Sequence, residues 1–380
     1  MSSFELKRRA REIIFGNRRI ILVAAGYVVI IVVLSYLRSQ LTGLSTAYTV
    51  SMEHILRGEL PDADSSREFA AEVSARRVMP PGLSTLLPAL ARWGAPLDVL
   101  RTSVSLLAAE LGWQPTLDIG IDELADQALG LCAVAPTILA AAHRLRCGDE
   151  PLEPRADLGQ AANYLYMLTG VVPSPEHARA IERYMILTID HGFNASTFTA
   201  RVVTSTGADL GAAIVAAIGA LSGPLHGGAP SRALDLLDAI GTPERADAYI
   251  RDAVEHGERI MGFGHRVYKT EDPRSLLLRG VSEELGGPLV ELAESVERTV
   301  VDVLAELKPG RHLYANVEFY AGVVMHTCGI PREMFTPTFA TGRTIGWCTH
   351  VLEQAAHNRL IRPAARYVGP PPPQPVPAAG

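Results

Sequence analysis

Four short segments set titratable side chains among glycines or at expected helix starts. They are residues 190–197 (DHGFNAST), 223–229 (GPLHGGA), 262–274 (GFGHRVYKTEDPR) and 316–322 (NVEFYAG). Glycine lets the backbone approach a ligand closely, and a helix N-terminus presents unpaired N–H groups to it. Each histidine taken singly is more often a structural side chain or a cap. The four segments together indicate a ligand-binding site that holds side chains able to transfer protons.

The elements that must position these segments are helices. From about residue 51 onward, apolar residues recur at three- and four-residue intervals, with glycine or proline at the breaks. No convincing alternation with a period of two, typical of a strand, is present. The pattern therefore predicts an all-α fold. Five of the predicted helices, of which four begin at a proline, are 96–111, 208–221, 243–260, 273–285 and 288–307.

Length and composition agree with a helical protein of two unequal lobes. The chain has 380 residues, of which 48% are hydrophobic and only 6% aromatic, which favours close-packed helices. Its formal net charge is −6, and no block of like charge runs through its body. This argues against a nucleic-acid partner. A small anionic ligand held by a few arginines and histidines fits the composition.

The four cysteines are predicted to be reduced thiols in the core. Cys132, Cys147, Cys328 and Cys348 form no C-x-x-C pair and no zinc-like Cys/His spacing. The sequence therefore predicts no metal site and no disulfide framework.

The first 50 residues are atypical. Residues 20–37 form an uncharged apolar stretch of 18 residues, the lower limit for a membrane-spanning helix, and six basic residues precede it. The positive-inside rule would keep the N-terminus in the cytoplasm and send the rest of the chain across. A buried core segment and a misassigned start are the alternatives. At the other end, residues 368–380 form a proline-rich tail.

All four segments, followed by 342–350 (GRTIGWCTH) and 361–363 (IRP), occur in the order in which they stand in citrate synthases. The chain resembles bacterial citrate synthases over roughly residues 57–369, whereas residues 1 to about 50 do not match. The resemblance implies an enzyme that joins the acetyl group of acetyl-CoA to oxaloacetate. It also implies a homodimer whose large helical domain (51–227 and 330–367) and small helical domain (228–329) flank the active site.

The catalytic residues implied by the resemblance are His226, His265 and Glu318. His226 would donate a hydrogen bond to the thioester carbonyl as a neutral ring, because the helix expected at residues 229–230 disfavours imidazolium. Glu318 would remove a proton from the acetyl methyl group, and the dipole of its own helix would keep it ionised. His265 would protonate the oxaloacetate carbonyl oxygen. The family usually has aspartate where this chain has Glu318, which is one methylene longer.

By the same resemblance, five residues would bind oxaloacetate, and Arg362 would reach into the neighbouring subunit's site. The planar guanidinium gives bidentate, charge-assisted hydrogen bonds to a carboxylate. The five residues are His191, Asn194, Arg274, Arg343 and Arg362.

The resemblance assigns coenzyme A to a separate set of residues. Lys269 would meet a phosphate, while Asn316, Gly262 and Gly264 would line the pantetheine and adenine path. The CoA thioester is a substrate, so no cofactor is expected.

Two alternatives stay open at this point. A 2-methylcitrate synthase would use propionyl-CoA with the same three catalytic residues, and one methylene changes binding by only about 1–3 kcal/mol. A membrane-tethered paralogue of low activity, acting as a scaffold or sensor, is the alternative from another class. CoA thioesters place the catalytic body in the cytoplasm in either case, even if residues 20–37 associate with a membrane.

Overall fold

The computed structural model describes residues 47–58, 61–224, 226–227, 229–264, 271–308 and 313–371. Helices make up nearly all of their regular structure. The helices of the first half are α1 (Ala47–Arg57), α2 (Ala63–Ala75), α3 (Pro81–Trp93), α4 (Pro96–Glu110), α5 (Ile121–Cys147), α6 (Gln160–Thr169), α7 (Pro175–Thr188), α8 (Ala195–Thr204) and α9 (Leu210–Leu221). Those that follow are α10 (Ala229–Ile240), α11 (Pro243–Glu255), α12 (Pro273–Leu285), α13 (Pro288–Leu307), α14 (Val317–Thr327) and α15 (Phe335–Ala356), with a 3-10 turn at Arg332–Met334 before α15.

The predicted all-α fold is confirmed. Each of the four helices expected to begin at a proline does so, because proline lacks only an N–H that would be unpaired in the first turn. Helix α11 ends at Glu255, five residues before the predicted end at 260. Gly257 has φ +72°, a left-handed conformation that reverses the chain after the helix.

Helices α5 and α15 form the centre of the core. The second half of α5 is buried almost all round, and α15 packs against α5, α7, α8 and α9. Among the described residues, α5 is the one helix long and apolar enough to cross a membrane, yet 78% of its apolar window is buried inside the protein. Its burial shows a core helix. The candidate span at 20–37 lies outside the described residues.

Helices α10 to α14 pack mainly on one another. Helix α10 contacts α14, α11 contacts α13, and α12 contacts α14. They meet the rest of the core where α12 packs on α7 and α10 packs on α15. This contact region carries the predicted site residues of α12, α14 and α15. The domain boundaries at residues 228 and 329 stay a prediction.

Candidate active site

Glu318 lies in the first turn of α14, two residues after the capping residue Asn316. The Asn316 side chain accepts a hydrogen bond from the Glu318 amide at 3.0 Å, as the sequence predicts for an N-cap. Burial raises the pKa of Glu318 to about 7, although the positive charges of Arg274 and Arg343 lower it. Desolvation is thus the largest influence on this carboxyl, and the expectation that the helix dipole keeps it ionised stays a prediction. A carboxyl that titrates near neutrality is well matched to the work of a general base.

Two buried arginines flank this acid. The Nε and Nη2 atoms of Arg274 donate to the two carboxylate oxygens of Asp272 at 3.1 and 2.8 Å. The Nε of Arg343 donates to the carbonyl of Thr188 at 2.7 Å, and its guanidinium lies 4.5 Å from the ring centre of Phe339. These bonds fix the planes of both guanidinium groups. Their arrangement suits carboxylates, which a planar fork binds in a defined orientation.

The electrostatics of Arg343 shows that the two arginines and the acid lie close together. Burial lowers the pKa of Arg343 to about 10; Asp190 and Glu318 raise it, and Arg274 lowers it further. Helices α12, α14 and α15 therefore bring three of the predicted residues into one charged cluster, although these lie up to 69 positions apart in the sequence, from 274 to 343.

His226 is held by the start of α8. Its Nε2 lies 2.8 Å from the Ser196 hydroxyl and accepts the Ser196 backbone N–H at 3.3 Å. A backbone amide can only donate, so Nε2 is the unprotonated nitrogen and the proton of the neutral ring sits on Nδ1. Burial lowers the pKa of His226, and the charge of Arg343 lowers it further, which favours the neutral ring. These interactions leave Nδ1–H as a hydrogen-bond donor.

Ser196 and Trp347 are contacts that the sequence interpretation missed. The indole Nε1–H of Trp347 donates to the Ser196 hydroxyl at 3.1 Å, and that hydroxyl lies 2.8 Å from Oδ1 of Asn194. Both residues stand within quoted motifs, DHGFNAST and GRTIGWCTH. The signal was therefore present, but the pairing spans 151 positions and only the fold shows it.

Asn194 acts as the N-cap of α8. Its Oδ1 accepts the Thr197 amide at 3.1 Å and its Nδ2 donates to the Thr197 hydroxyl at 2.9 Å. The side chain thereby fixes the turn that carries Ser196. His191 precedes this turn and follows Asp190, so the segment between α7 and α8 carries two of the residues predicted to bind oxaloacetate, His191 and Asn194.

A buried network anchors that segment to α15. Nε2 of His350 lies 3.2 Å from Asp190, and its Nδ1 lies 2.9 Å from Nη1 of Arg201. Although burial raises the pKa of Asp190, His350 and Arg343 lower it more, so the net shift is downward. Gly346 allows the close approach, since a Cβ there would lie 2.1 Å from the Ile189 carbonyl oxygen.

The glycines predicted to bind coenzyme A pair with the strand-like segment before α14. Gly262 and Gly264 both have φ +85°, and the Gly264 amide donates to the Tyr314 carbonyl at 2.8 Å. Nδ2 of Asn316 donates to the Gly264 carbonyl at 2.9 Å. A cavity of about 530 Å³ opens beside them. Its lining comprises Val254, Gly257, Glu258, Arg259, Ile260, Phe263, Gly264, Leu304, Lys308 and Leu313.

Arg362 is exposed on the segment that follows α15. This segment docks at the end of α8, where the Ile361 amide donates to the Ser205 hydroxyl at 3.0 Å. Ser205 and Ser196 lie at opposite ends of α8, so roughly 14 Å of helix separates this docking point from the His226 contact. The structure therefore does not bring Arg362 to its own chain's cluster. His265 and Lys269 lie outside the described residues.

A family model described as "Citrate synthase, C-terminal domain" matches residues 31–364. The chain belongs to the citrate synthase family. The match corrects one expectation, because it begins at residue 31, inside the atypical N-terminal segment that was not expected to match.

Curated relatives agree with this family. The chain is 41% identical to a citrate synthase of Deinococcus radiodurans over 83% of both chains. It is 44% identical to citrate synthase 2 of Bacillus subtilis over 72% of this chain and 73% of the relative. The chain is thus an acyltransferase of the citrate synthase family, and the predicted citrate synthase function is confirmed. The comparisons lend no support to the membrane-tethered alternative.

Solved citrate synthases share the fold. The crystal structure from Thermotoga maritima superposes with a TM-score of 0.75 at 35% identity and 87% coverage of both chains. A citrate synthase from Thermoplasma acidophilum, in ternary complex with carboxymethyl coenzyme A and oxaloacetate, gives a TM-score of 0.78 at 29% identity, covering 87% of this chain and 88% of that one.

Proposed function

We propose that the chain condenses acetyl-CoA with oxaloacetate and water to citrate and free CoA, with Glu318 as the base. The observation that carries this assignment is the position of Glu318: a carboxyl with a pKa of about 7, flanked by the buried cations Arg274 and Arg343. Glu318 can take up a proton at neutral pH, and the neighbouring Arg274 and Arg343 can bind a keto acid that carries two negative charges.

Enolisation is the first step. The Glu318 carboxylate removes a proton from the acetyl methyl group, and the electron pair moves onto the thioester oxygen. Nδ1–H of His226 donates a hydrogen bond to that oxygen as charge develops on it. The hydrogen bond that the Ser196 backbone N–H donates to Nε2 sets both the tautomer and the ring orientation.

Condensation follows at the keto carbon of oxaloacetate. Arg274, Arg343 and His191 bind and orient its carboxylates, so the enol carbon meets one carbonyl face. By the family resemblance His265 protonates the carbonyl oxygen. Water then cleaves the citryl thioester. Each step is acid–base chemistry, so we expect turnover without added metal or cofactor.

The cavity beside Gly264 is proposed as the coenzyme A site. Phe263, Ile260 and Leu304 give it apolar walls, while Arg259 and Lys308 bring positive charge to its rim. Adenine is flat and apolar on its faces and the phosphates are anionic, so the apolar walls suit the base and the two cations suit the phosphates, although the acid Glu258 also lines the cavity. Of the residues that the sequence predicts to bind coenzyme A, Gly264 lines this cavity, and the proposal adds Arg259 and Lys308 to them.

Replacing Arg259 by alanine should raise the KM for acetyl-CoA by roughly tenfold, because one charge-assisted contact is worth about 1.5–3 kcal/mol. The KM for oxaloacetate should stay unchanged, and raising the salt concentration should narrow the difference from wild type. Arg251→Ala is the matched control, since Arg251 is outside the cavity lining and pairs with Asp247 and Glu306. An equal change in both KM values would contradict the placement of coenzyme A.

The acyl donor is the finer question within this family. A thiol-release assay with acetyl-CoA and with propionyl-CoA, each with and without oxaloacetate, tests the proposal. We expect oxaloacetate-dependent thiol release that is faster with acetyl-CoA. Faster turnover of propionyl-CoA would establish the 2-methylcitrate synthase alternative. Thiol release that does not depend on oxaloacetate would overturn both synthase functions.

A homodimer is proposed from the position of Arg362. Its segment lies at the far end of α8 from the chain's own cluster, yet the family resemblance assigns Arg362 to an oxaloacetate site. The position of Arg362 and the family resemblance agree if Arg362 binds oxaloacetate in the active site of the partner subunit. We place the catalytic body in the cytoplasm, where CoA thioesters are available.

A further inference from the structure

A cysteine, a histidine and a glutamate form a chain of contacts away from the proposed active site. Cys147 is the last residue of α5, His143 lies one turn before it, and Glu333 lies in the 3-10 turn that precedes α15. Nε2 of His143 lies 3.6 Å from the Cys147 sulfur, and its Nδ1 lies 3.0 Å from Oε1 of Glu333. The prediction of core thiols is confirmed for Cys132, Cys328 and Cys348 but is wrong for Cys147, which is exposed.

The carboxylate determines the tautomer of His143. An ionised carboxylate can only accept a hydrogen bond, so the proton is on Nδ1 of His143, and Nδ1–H donates a hydrogen bond to Glu333. The lone pair of Nε2 then faces Cys147, and the thiol donates to it. Only 7% of His143 is exposed, so burial holds the ring in this orientation. A nucleophile, a base and a group that orients the base are therefore in place.

We propose that Cys147 is a reactive thiol that exchanges with small disulfides. The thiol proton passes to Nε2 of His143, and Glu333 stabilises the resulting imidazolium through Nδ1–H. The thiolate attacks one sulfur of a disulfide R–S–S–R, forming Cys147–S–S–R as the original S–S bond breaks. The leaving thiolate takes the proton from Nε2 and departs as RSH. Cys147 is oxidised, and the small disulfide is reduced by the same two electrons.

The proton relay formed by His143 and Glu333 is needed to activate Cys147 at this position. Cys147 ends a helix, where the negative end of the dipole disfavours a thiolate. Arg144 and Arg146 in the same turn offset this only in part, since Arg144 is paired with the carboxylate of Asp149 at 4.0 Å. A bound metal explains the geometry less well. Glu333 and Cys147 face different nitrogens of one ring, so a metal at Nε2 would have only two of the three side chains as ligands.

Reaction of the folded protein with 5,5′-dithiobis(2-nitrobenzoic acid) tests the proposal. At about pH 7 we expect one fast-reacting thiol per chain, which Cys147→Ser removes; the three buried cysteines give the slow background. Glu333→Gln should slow the fast phase roughly tenfold, and His143→Gln should slow it further. Glu333 is half exposed, so its variant should fold normally even if the His143 variant does not.

The pH profile separates a proton relay from a packing effect. The rates of wild type and Glu333→Gln should converge at strongly alkaline pH, where hydroxide in solution removes the thiol proton without the relay. Asp149→Asn, which removes a nearby exposed charge outside the relay, should react at least as fast as wild type. Incubation with oxidised glutathione should add one glutathionyl group to wild type and none to Cys147→Ser. Equal rates for wild type and Glu333→Gln at every pH would overturn the proposal.

Discussion

Replacing Glu318 by glutamine should lower kcat by about a thousandfold, because a general base contributes roughly 10²–10⁴ to a proton-transfer step. Glutamine has the same shape and cannot accept the methyl proton. The variant should also lose exchange of the acetyl methyl protons with solvent, measured by NMR in deuterated buffer. Loss of exchange would place the defect at enolisation.

Oxaloacetate binding should be retained or tightened in this variant, because a negative charge beside Arg274 and Arg343 is removed. Titration calorimetry measures this directly. Glu291→Gln, an exposed acid in the first turn of α13, is the matched control and should leave kcat unchanged. Turnover close to wild type in Glu318→Gln would show that another group is the base.

Glu318→Asp separates the reacting group from its reach. Aspartate keeps the carboxylate but withdraws it by about 1 Å, a displacement that can cost on the order of a hundredfold in rate. We expect measurable activity between that of wild type and that of the glutamine variant. The family usually has aspartate here, so the result also shows how far the rest of this site is adjusted to glutamate.

The pH dependence follows from the same group. The pKa of Glu318 is about 7 in the folded protein, above its ordinary value of 4.5. In wild type, kcat/KM should therefore fall as the pH drops below about 7, because the base becomes protonated. The effect on stability has the opposite direction. Because the pKa is raised in the folded protein, the free energy of unfolding falls as the pH rises from about 4.5 through 7. Glu318→Gln should remove the part of this pH-dependent loss of stability that Glu318 causes.

The helices were predictable from sequence because the signals that start them are local. Pro96, Pro243, Pro273 and Pro288 each open a helix as predicted, since proline at the first position acts on its own turn. The end of α11 was missed because apolar spacing continues through Ile260, whereas Gly257 had already turned the chain.

The site was predictable only where one motif held the whole signal. Asn316 caps the helix of Glu318 within three residues, so that arrangement was expected. The contacts of Ser196 with His226 and Trp347 join positions 30 and 151 apart, and no local pattern specifies such pairs. The pKa of Glu318 likewise depends on burial by several helices, which the sequence of α14 alone does not contain.

Arg343→Leu should weaken oxaloacetate binding by roughly ten- to a hundredfold, the range for a lost charge-assisted hydrogen bond of about 1.5–3 kcal/mol. Coenzyme A binding should change little, because the lining of the proposed coenzyme A cavity does not include Arg343. Titration of each ligand separately measures the two effects. Arg279→Leu is the control, since Arg279 pairs with Glu283 on the outer part of α12.

Leucine also removes the donor to the buried Thr188 carbonyl, so part of the loss could come from reduced stability. Arg343→Lys addresses this, because lysine keeps the positive charge but lacks the planar fork. We expect Arg343→Lys to bind oxaloacetate with intermediate affinity. A thermal melt of each variant shows whether the fold persists, and equal weakening of oxaloacetate and coenzyme A would contradict the assignment.

The pH profiles of these variants test the charged cluster itself. Arg343 lowers the pKa of Glu318 and also that of His226, so both values should rise when the charge is lost. In Arg343→Leu the acid limb of kcat/KM should therefore move above pH 7, while Arg343→Lys should leave it near the wild-type position. A limb that stays fixed in the leucine variant would mean that Arg343 does not act on the base. A limb that moves equally in both variants would point to altered packing, because only the leucine variant changes the charge.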